Sequence, residues 1–381
     1  MRALLVTNDF PPIVSGISTY FYQLWRHLPP EKVLVLAPWV EGCEEFDRRQ
    51  SFKIVRKEMP VGKSRKEKVI KTSLNIFWAL YLALRFRVTK LHCGQVVSAG
   101  LAGLTCKKLL GIPYAVYVYG SETVRFSRSK FLSRLIGRIT EEAEEVVPNS
   151  DFTLEEYLRF GVPREKMVKI TPGVDPEAFA PRGKPLEIVR RYGLDGPTLL
   201  TVGRLDERKG HDVVINALPK VAERFPKVKY LVVGKGREEE RLKALARKVG
   251  VEDKVIFVGF VPDEELPGYY NVCDLFVLPN RETEESDYLR GDYEGFGIVF
   301  LEAGACAKPV VGGRSGGVEE AVVDGVTGLL VDPRSPEEVA GAVIELLEDR
   351  DLRERLGREG RRRAEQFDWR KLSLKLEGIL T

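Results

Sequence analysis

Short, continuously apolar segments alternate with helical patterns along the whole chain. They include Ala3–Thr7 and Tyr114–Tyr119 in the first half, and Thr198–Gly203 and Asp274–Leu278 in the second. Because the apolar residues are consecutive, each strand must be buried on both faces, as in a parallel sheet that helices cover on both sides. A chain of 381 residues also exceeds what one core usually supports. The sequence therefore predicts an α/β protein with two doubly wound domains in series.

The border between these domains is expected where the alternation stops. After Val168–Ile170, the last strand expected in the first domain, comes the proline-rich stretch Asp175–Lys184, which fits neither pattern. We therefore assign residues 1–176 to the first domain and 177–366 to the second. Residues 1–176 hold 27 Lys and Arg against 18 Asp and Glu, whereas the remainder holds 33 against 38. A basic first half indicates an anionic partner.

Composition argues against several classes of protein. The five cysteines are scattered and odd in number, which fits buried thiols better than disulfides, and three distant histidines argue against a His-based metal site. Met1 and Arg2 lead directly into a strand, so no signal peptide is visible, and the longest apolar run, Ile76–Leu84, is far shorter than a bilayer span. We therefore expect a cytoplasmic protein. The combination of six Asn and four Gln with 30% charged residues indicates a thermophile.

Two glutamates, Glu294 and Glu302, flank a Gly-Phe-Gly sequence and the first turn of the apolar helical segment Ile298–Ala307. A helix N-terminus offers unpaired N–H groups that suit a phosphate, and a carboxylate accepts hydrogen bonds from the hydroxyls of a sugar or ribose. The segment follows the buried strand Asp274–Leu278, and parallel sheets bind ligands beyond the carboxyl ends of their strands. This context favours a site for a sugar and a phosphate over two solvated surface glutamates.

Two cations, Arg204 and Lys209, follow the carboxyl end of another expected strand, Thr198–Gly203. In isolation such residues are usually a solvated surface pair. Their position after a strand favours a role at the same site, where fixed positive charge would stabilise a departing phosphate. Arginine contributes a bidentate fork and lysine a point charge.

Several segments, in the same order along the chain, together resemble glycosyltransferase family 4, whose fold is called GT-B. They are Asp9–Gly16, Asn149–Ser150, Pro172–Asp175, Val202–Gly210, Glu294–Glu302, Gly313–Gly317 and Asp324–Val331. The resemblance covers nearly the whole chain. It implies two Rossmann-like domains that face each other across a cleft, with the acceptor on the first domain and the donor mainly on the second. It also implies that a C-terminal helix, at about 367–381, crosses back to the first domain.

The reaction that the resemblance implies is transfer of a sugar from a nucleotide diphosphate, UDP- or GDP-linked, to an acceptor hydroxyl with retention of configuration. Arg204 and Lys209 would hold the diphosphate, and Glu294 would bind the transferred sugar and stabilise charge at its ring. These cations and a helix N-terminus would replace a divalent metal. We therefore expect neither a metal nor a cofactor.

The resemblance also assigns residues that bind the donor. Glu302 would bind the ribose diol, and Gly16 would approach the diphosphate from the first domain. Backbone groups would supply the remaining contacts with the base, the sugar and the diphosphate, at Val261, Phe296, Gly297 and Ile298. The Phe296 ring itself is expected to pack rather than to bind.

One residue departs from the family pattern. Tyr119 stands where the family usually has a histidine before Gly120. In relatives that histidine contacts the donor sugar. Tyr119 would replace it as a neutral donor, fill the space beside a smaller sugar, or only pack at the end of its strand. The donor sugar therefore stays open.

The acceptor side is less specific. Basic and apolar residues share the segments Val61–Lys90, which begins with Lys63, and Val124–Ile139, which contains Arg125 and Arg128. Such faces suit an anionic membrane surface and a lipid or glycan acceptor, although ordinary helices with solvated basic faces give the same pattern. No nucleic-acid-binding motif is present.

Two other functions fit part of the sequence. A catalytically silent sugar-nucleotide binder would share the fold but would be expected to lose Glu294, Arg204 or Lys209, and all three are present. An oxidoreductase would explain the glycines of Val233–Glu239, but Glu239 stands where the dinucleotide fingerprint has its third glycine.

Overall fold

The computed structural model describes residues 2–60, 64–120, 129–283 and 293–380. The chain divides into two compact units. Unit 1 consists of Met1–Pro172 and Trp369–Thr381, and unit 2 consists of Gly173–Asp368. The division lies a few residues from the borders expected at 176 and 366. Each unit contains one parallel six-stranded sheet, as the consecutive apolar segments predict.

The sheet of unit 1 has the strand order β3-β2-β1-β4-β5-β6. Its strands are β1 (Ala3–Val6), β2 (Val33–Pro38), β3 (Lys53–Lys57), β4 (Lys90–Cys93), β5 (Tyr114–Val118) and β6 (Glu145–Pro148). Its helices are α1 (Gly16–Trp25), α2 (Cys43–Arg48), α3 (Arg65–Phe86), α4 (Ser98–Leu110), α5 (Lys130–Glu142), α6 (Asp151–Arg159) and, from the C-terminus, α15 (Trp369–Glu377). The order reverses between β1 and β4, which is where sheets of this kind bind ligands.

The sheet of unit 2 repeats this topology in the order β12-β11-β10-β7-β8-β9, with its switch point between β7 and β10. Its strands are β7 (Thr198–Val202), β8 (Lys229–Val233), β9 (Val255–Gly259), β10 (Leu275–Leu278), β11 (Val310–Gly313) and β12 (Gly328–Val331). Its helices are α7 (Leu186–Tyr192), α8 (His211–Arg224), α9 (Glu239–Lys248), α10 (Leu266–Val272), α11 (Ile298–Ala305), α12 (Val318–Ala321), α13 (Pro336–Glu348) and α14 (Arg350–Gln366). Short 3-10 turns occur at Pro30–Lys32, Arg164–Lys166 and Glu207–Lys209.

The predicted strand Val168–Ile170 is wrong. This segment runs beside β6, with backbone hydrogen bonds from Val168 to Val146 and from Ile170 to Pro148, but only a single bridge, between Val146 and Met167, forms. It covers the outer edge of the sheet without extending it.

The C-terminal helix α15 belongs to unit 1, as expected from the family resemblance. Its buried side chains Trp369, Leu372 and Leu376 join the core that lies between α1 and the sheet. Beyond the helix, the carbonyl oxygen of Leu380 lies 3.2 Å from Nε2 of the buried His92. The last residues of the chain therefore help to complete the core of the unit that contains its first residues.

Helix α3 is long and carries apolar residues on its exposed side. It begins with a capping box between Ser64 and Glu67 and packs against α4. Four large side chains on the exposed side, called here the outer stripe of α3, are Ile70, Phe77, Tyr81 and Leu84. Lys63, Arg125 and Arg128, which the sequence analysis assigned to basic faces, lie outside the described residues.

The length of α3 bears on whether the chain has a segment long enough to span a membrane. The longest run of consecutive apolar residues is too short to span a bilayer, yet by length and average composition Lys66–Phe86 could do so. Among the described helices it alone is long and apolar enough to cross a membrane, and 22% of its most apolar stretch is buried. Core helices of soluble proteins pass the same test, and Ala79, Leu82 and Ala83 of α3 lie in the core of unit 1.

The placement of α15 can be tested with two leucines on that helix. Leu376→Ala should lower the free energy of unfolding by about 2–5 kcal/mol, because it opens a cavity in the core. Leu374→Ala, at a position that is 67% exposed, should change it by less than about 0.5 kcal/mol. Urea denaturation of the full chain measures both, and equally small effects would contradict the placement of α15.

Candidate active site

A buried carboxylate between two cations lies at the carboxyl end of the unit 2 sheet. Oε2 of Glu294 accepts hydrogen bonds from Nζ of Lys209, at 2.5 Å, and from Nη1 of Arg208, at 2.9 Å. The side chains of all three residues are at most 14% exposed. Burial raises the pKa of the Glu294 carboxyl, but attraction to Lys209 and Arg208 outweighs burial and lowers this pKa to about 2. Glu294 is therefore a fixed negative charge throughout the physiological range of pH.

Lys209 keeps donors for a further anion. Burial lowers the pKa of its ammonium group, and the attraction of Glu294 opposes this shift. The ammonium group has three N–H donors, and within the described part of the chain one of them is engaged by Glu294. In the described ranges the other two have no partner, and they could bind an anionic ligand.

The loop between β7 and α8 holds these cations in place through close backbone packing. Gly210 has φ +69°, and a Cβ at this position would lie 2.1 Å from the carbonyl oxygen of Pro279, which follows β10. His211 then begins α8, with its Nε2 3.3 Å from the carbonyl oxygen of Arg204. Burial lowers the pKa of His211 to about 4, so the ring is neutral, and its Nε2 must carry the proton to donate to that carbonyl.

Arg204 is placed differently from Lys209. Its side chain is 69% exposed and forms an ion pair with Asp206, at 3.3 Å, rather than with Glu294. The backbone of Arg204 is fixed by the bond to His211, so the guanidinium group extends from a fixed point into solvent. It can reach a ligand without losing a buried partner.

The segment that carries Glu294 packs tightly against the loop after β11. The carbonyl oxygen of Glu294 accepts a hydrogen bond from the backbone nitrogen of Gly317, and a Cβ at Gly316 would lie 2.4 Å from that oxygen. Gly297 has φ +88° and caps α11, which places the unpaired N–H groups of Ile298 and its neighbours at the start of the helix. The Phe296 ring is buried and packs against Phe367, as expected for a packing residue.

Glu302 lies about one turn into α11 and is half-buried. Its Oε2 accepts a hydrogen bond of 2.6 Å from the hydroxyl of the fully buried Tyr270. Burial raises the pKa of Glu302 to about 7, although the bond from Tyr270 lowers it. The two glutamates of one motif therefore have different environments: Glu294 lies between two cations, whereas the partner of Glu302 among the described residues is the hydroxyl of Tyr270.

Val261 follows β9, where the resemblance expects backbone contacts with a base. Its side chain is buried in the core of unit 2, whereas the ring of the preceding Phe260 is 53% exposed. An exposed aromatic ring therefore stands beside the backbone at this position.

Gly16 and Tyr119 lie in unit 1, at the carboxyl ends of its strands. Gly16 is the first residue of α1, which Ser15 caps, and a Cβ at Gly16 would meet nothing within 4 Å. The Tyr119 hydroxyl donates to the carbonyl oxygen of Gly94, at 3.1 Å, and the ring packs edge-on against Tyr20. Tyr119 thus packs at the end of β5.

The glycines that suggested a dinucleotide fold have another explanation. A Cβ at Gly234 would lie 2.0 Å from the carbonyl oxygen of Gly203, and one at Gly236 would lie 2.4 Å from that of Leu205. Both glycines allow the segment after β8 to pack against the loop that carries Arg204. Across the described ranges, no group of three or more His, Cys, Asp or Glu side chains could hold a metal ion.

Sequence reasoning missed Arg208 and Tyr270. Arg208 stands between Glu207 and Lys209 in the basic loop, and sequence spacing alone does not show which of these side chains contacts Glu294. Tyr270 contacts Glu302 from a different helix, so no local pattern links the two. The adjacent Tyr269 and Tyr270 in an apolar segment were the one signal in the sequence, because a buried tyrosine hydroxyl usually has a hydrogen-bond partner.

Comparisons with known proteins agree with this architecture. A family model described as Glycosyl transferases group 1 matches residues 188–363, and one described as Glycosyltransferase Family 4 matches residues 14–178. The crystal structure of Anabaena HepE in complex with UDP and glucose superimposes with a TM-score of 0.81 at 19% identity, covering 100% of this chain and 99% of HepE. The fold is therefore GT-B.

Two curated relatives match almost end to end. One is the GDP-mannose-dependent alpha-(1-6)-phosphatidylinositol monomannoside mannosyltransferase of Mycolicibacterium smegmatis, which is 33% identical over 99% of this chain and 98% of the relative. The other is a GDP-mannose-dependent monoacylated alpha-(1-6)-phosphatidylinositol monomannoside mannosyltransferase of Corynebacterium glutamicum, at 28% identity over 100% and 97%. Fold and relatives together define a glycosyltransferase that uses a nucleotide sugar. The chain belongs to glycosyltransferase family 4.

The role of Arg208 can be tested by removing its charge. Arg208→Met should lower kcat about 100-fold, because Glu294 loses one of the two groups that fix its position. Lys227→Met removes a surface cation that pairs with Asp195, so it should leave kcat unchanged and cost less than about 1 kcal/mol of stability. Sugar-transfer kinetics measure both variants, and wild-type kcat in Arg208→Met would contradict a positioning role.

Proposed function

We propose that this glycosyltransferase transfers mannose from GDP-mannose to a hydroxyl of a phosphatidylinositol mannoside or a similar glycolipid. The observation that carries the proposal is the near end-to-end identity of 33% with a relative whose name specifies this donor and this acceptor. The presence of the Glu294 cluster supports a working enzyme rather than a silent binder of sugar nucleotides.

The donor diphosphate is assigned to Arg204 and Lys209. Negative charge builds up on the leaving diphosphate as the glycosidic bond breaks, and positioned cations lower the barrier by stabilising it. Lys209 has two N–H donors beyond the one that Glu294 engages, and Arg204 extends from a fixed backbone into solvent. The N-terminus of α11 adds N–H groups for the same anion.

The sugar and the nucleoside are assigned to the two glutamates and their neighbours. Glu294, ionised at every physiological pH, accepts hydrogen bonds from the sugar hydroxyls and stabilises positive charge at the sugar ring. Glu302 binds the ribose diol, and the backbone at Val261 contacts the base. Gly16 is assigned to the diphosphate as well, because a residue without a side chain allows a ligand to approach the backbone closely.

Neither a metal nor a cofactor is part of the proposed mechanism, and configuration at the sugar is retained. Arg204 and Lys209 supply the positive charge that a metal ion provides in other sugar transferases. Activity that survives extensive chelation with EDTA would support this part of the proposal, and activity that returns only with added Mg²⁺ or Mn²⁺ would contradict it.

A cytoplasmic enzyme that binds peripherally to an anionic membrane fits such a lipid acceptor. The outer stripe of α3 exposes Phe77, Tyr81 and Leu84, and the basic residues Lys66 and Lys68 lie near the start of the same helix. Apolar and basic residues on one helix suit insertion at a membrane interface that carries negative charge.

Binding measurements test the donor assignment. GDP-mannose should raise the melting temperature of the protein more than UDP-glucose or ADP-glucose does, because a ligand stabilises the state that binds it. Arg204→Ala should weaken GDP-mannose binding about tenfold or more, as loss of a charge-assisted contact does. Arg350→Ala, which removes a helix-surface pair with Glu354, is the matched control. Equal stabilisation by all three nucleotide sugars would contradict the preference for GDP-mannose.

Vesicle binding tests the membrane assignment. Phe77→Ser combined with Leu84→Ser should reduce co-sedimentation with vesicles of phosphatidylinositol and phosphatidylcholine by about tenfold, because two exposed apolar anchors are lost. Leu374→Ser is the control, since this equally exposed residue lies on α15, which packs on the other face of the sheet. No binding by the wild-type protein, or equal binding by both variants, would contradict the assignment.

A further inference from the structure

The hydrogen bond between Tyr270 and Glu302 joins two helices of unit 2 at the candidate active site. Tyr270 lies in α10 and Glu302 in α11, and the tyrosine hydroxyl is 2.6 Å from Oε2 of the glutamate. Tyr270 is fully buried, whereas Glu302 is half-buried. A fully buried tyrosine hydroxyl therefore donates to the carboxylate of a residue that is itself partly exposed.

Packing holds the tyrosine ring in one orientation. The ring lies edge-on to Phe179, with centroids 5.7 Å apart, and tilted against Phe276 at the same separation. Because a buried ring between two others cannot turn away without opening a gap in the core, its hydroxyl has a fixed position. The carboxylate that accepts its hydrogen bond is fixed as well.

Among the described residues, only one of the two carboxylate oxygens of Glu302 has a hydrogen-bond partner. Within the described part of the chain, Oε2 of Glu302 accepts from Tyr270, and Oε1 forms neither a hydrogen bond nor an ion pair. A carboxylate oxygen has lone pairs for more than one hydroxyl group. Oε1 is therefore the oxygen that a vicinal diol can reach.

We propose that Tyr270 is a positioning residue for the donor nucleotide, holding Glu302 so that Oε1 faces the ribose diol. This inference rests on the assignment of the ribose to Glu302 under the proposed function. The tyrosine does not touch the nucleotide. It selects the rotamer of Glu302, and by donating a hydrogen bond it favours the ionised carboxylate, which is the form that accepts from both hydroxyls.

The charged surroundings of Glu302 make its ionisation depend on this bond. Burial raises the pKa of Glu302 most strongly, the hydrogen bond from Tyr270 lowers it, and Asp263, in the loop before α10, raises it further, so that the pKa is about 7. Two other titratable groups lie near this end of α11. Cys306 follows the helix, and Arg361 belongs to α14, which packs against α11. Nη1 of Arg361 donates to backbone carbonyls. The affinity for the diol should therefore be high above pH 7 and fall as the pH drops through 7. Without the Tyr270 hydroxyl the pKa rises, so the fall should begin at a higher pH.

The test compares GDP with 2′,3′-dideoxy-GDP by isothermal titration calorimetry between pH 6 and 9. The wild-type protein should bind GDP about 10- to 100-fold more tightly than the dideoxy compound at pH 8.5, as expected for hydrogen bonds to a charged group. This preference should shrink as the pH falls through 7. In Tyr270→Phe the preference for GDP should be several-fold smaller, and the pH at which half of it is lost should be higher. The affinity for dideoxy-GDP should stay at the wild-type value.

Two further variants separate the possible causes. Tyr269→Phe removes the neighbouring buried hydroxyl, which meets Tyr192 instead of Glu302, and should keep the wild-type preference and midpoint. Glu302→Gln should abolish the preference at every pH. If Glu302→Gln does so but Tyr270→Phe behaves as the wild type, the positioning role is wrong and the ribose assignment stands. If Glu302→Gln keeps the preference, the ribose assignment fails and the role of Tyr270 fails with it.

Discussion

The ion cluster of Glu294 with Lys209 and Arg208 is the interaction on which the site depends. Three charges are removed from water there, which is favourable only because each has a partner at hydrogen-bond distance. Removing one partner of such a buried pair typically costs about 3–5 kcal/mol, since the charge left behind is uncompensated. The cluster therefore fixes two segments relative to each other, the loop after β7 and the segment before α11.

Close backbone contacts give this cluster its geometry. Gly210 approaches the chain after β10, Gly316 and Gly317 approach the backbone of Glu294 and Gly295 respectively, and Gly234 approaches the chain after β7. In each case a Cβ would overlap a carbonyl group or its neighbours, so a larger residue would push the loops apart. The proposed mechanism requires such preorganisation, in which cations and N–H groups have fixed positions before the negative charge develops.

Much of the fold could be predicted from the sequence, because its signals are local. Consecutive apolar residues identify buried parallel strands, and a proline-rich stretch indicates where one domain gives way to the next. Contacts between distant segments carry no such signal. The segment Val168–Ile170 is apolar enough for a strand, but it lies along the edge of the sheet without joining it. Arg208 points toward Glu294 beside Lys209, and Tyr270 donates to Glu302 from a different helix. The thermophilic source stays a prediction.

The proposal that the Glu294 cluster supports mannosyl transfer to a glycolipid is tested most directly by a transfer assay with GDP-mannose and phosphatidylinositol monomannoside. Released GDP and the lipid product are quantified together. We expect equal amounts of GDP and of a dimannosylated lipid with an α-linkage, and loss of both in Glu294→Gln. Binding of GDP-mannose without product, or product formation that Glu294→Gln leaves unchanged, would contradict the proposal.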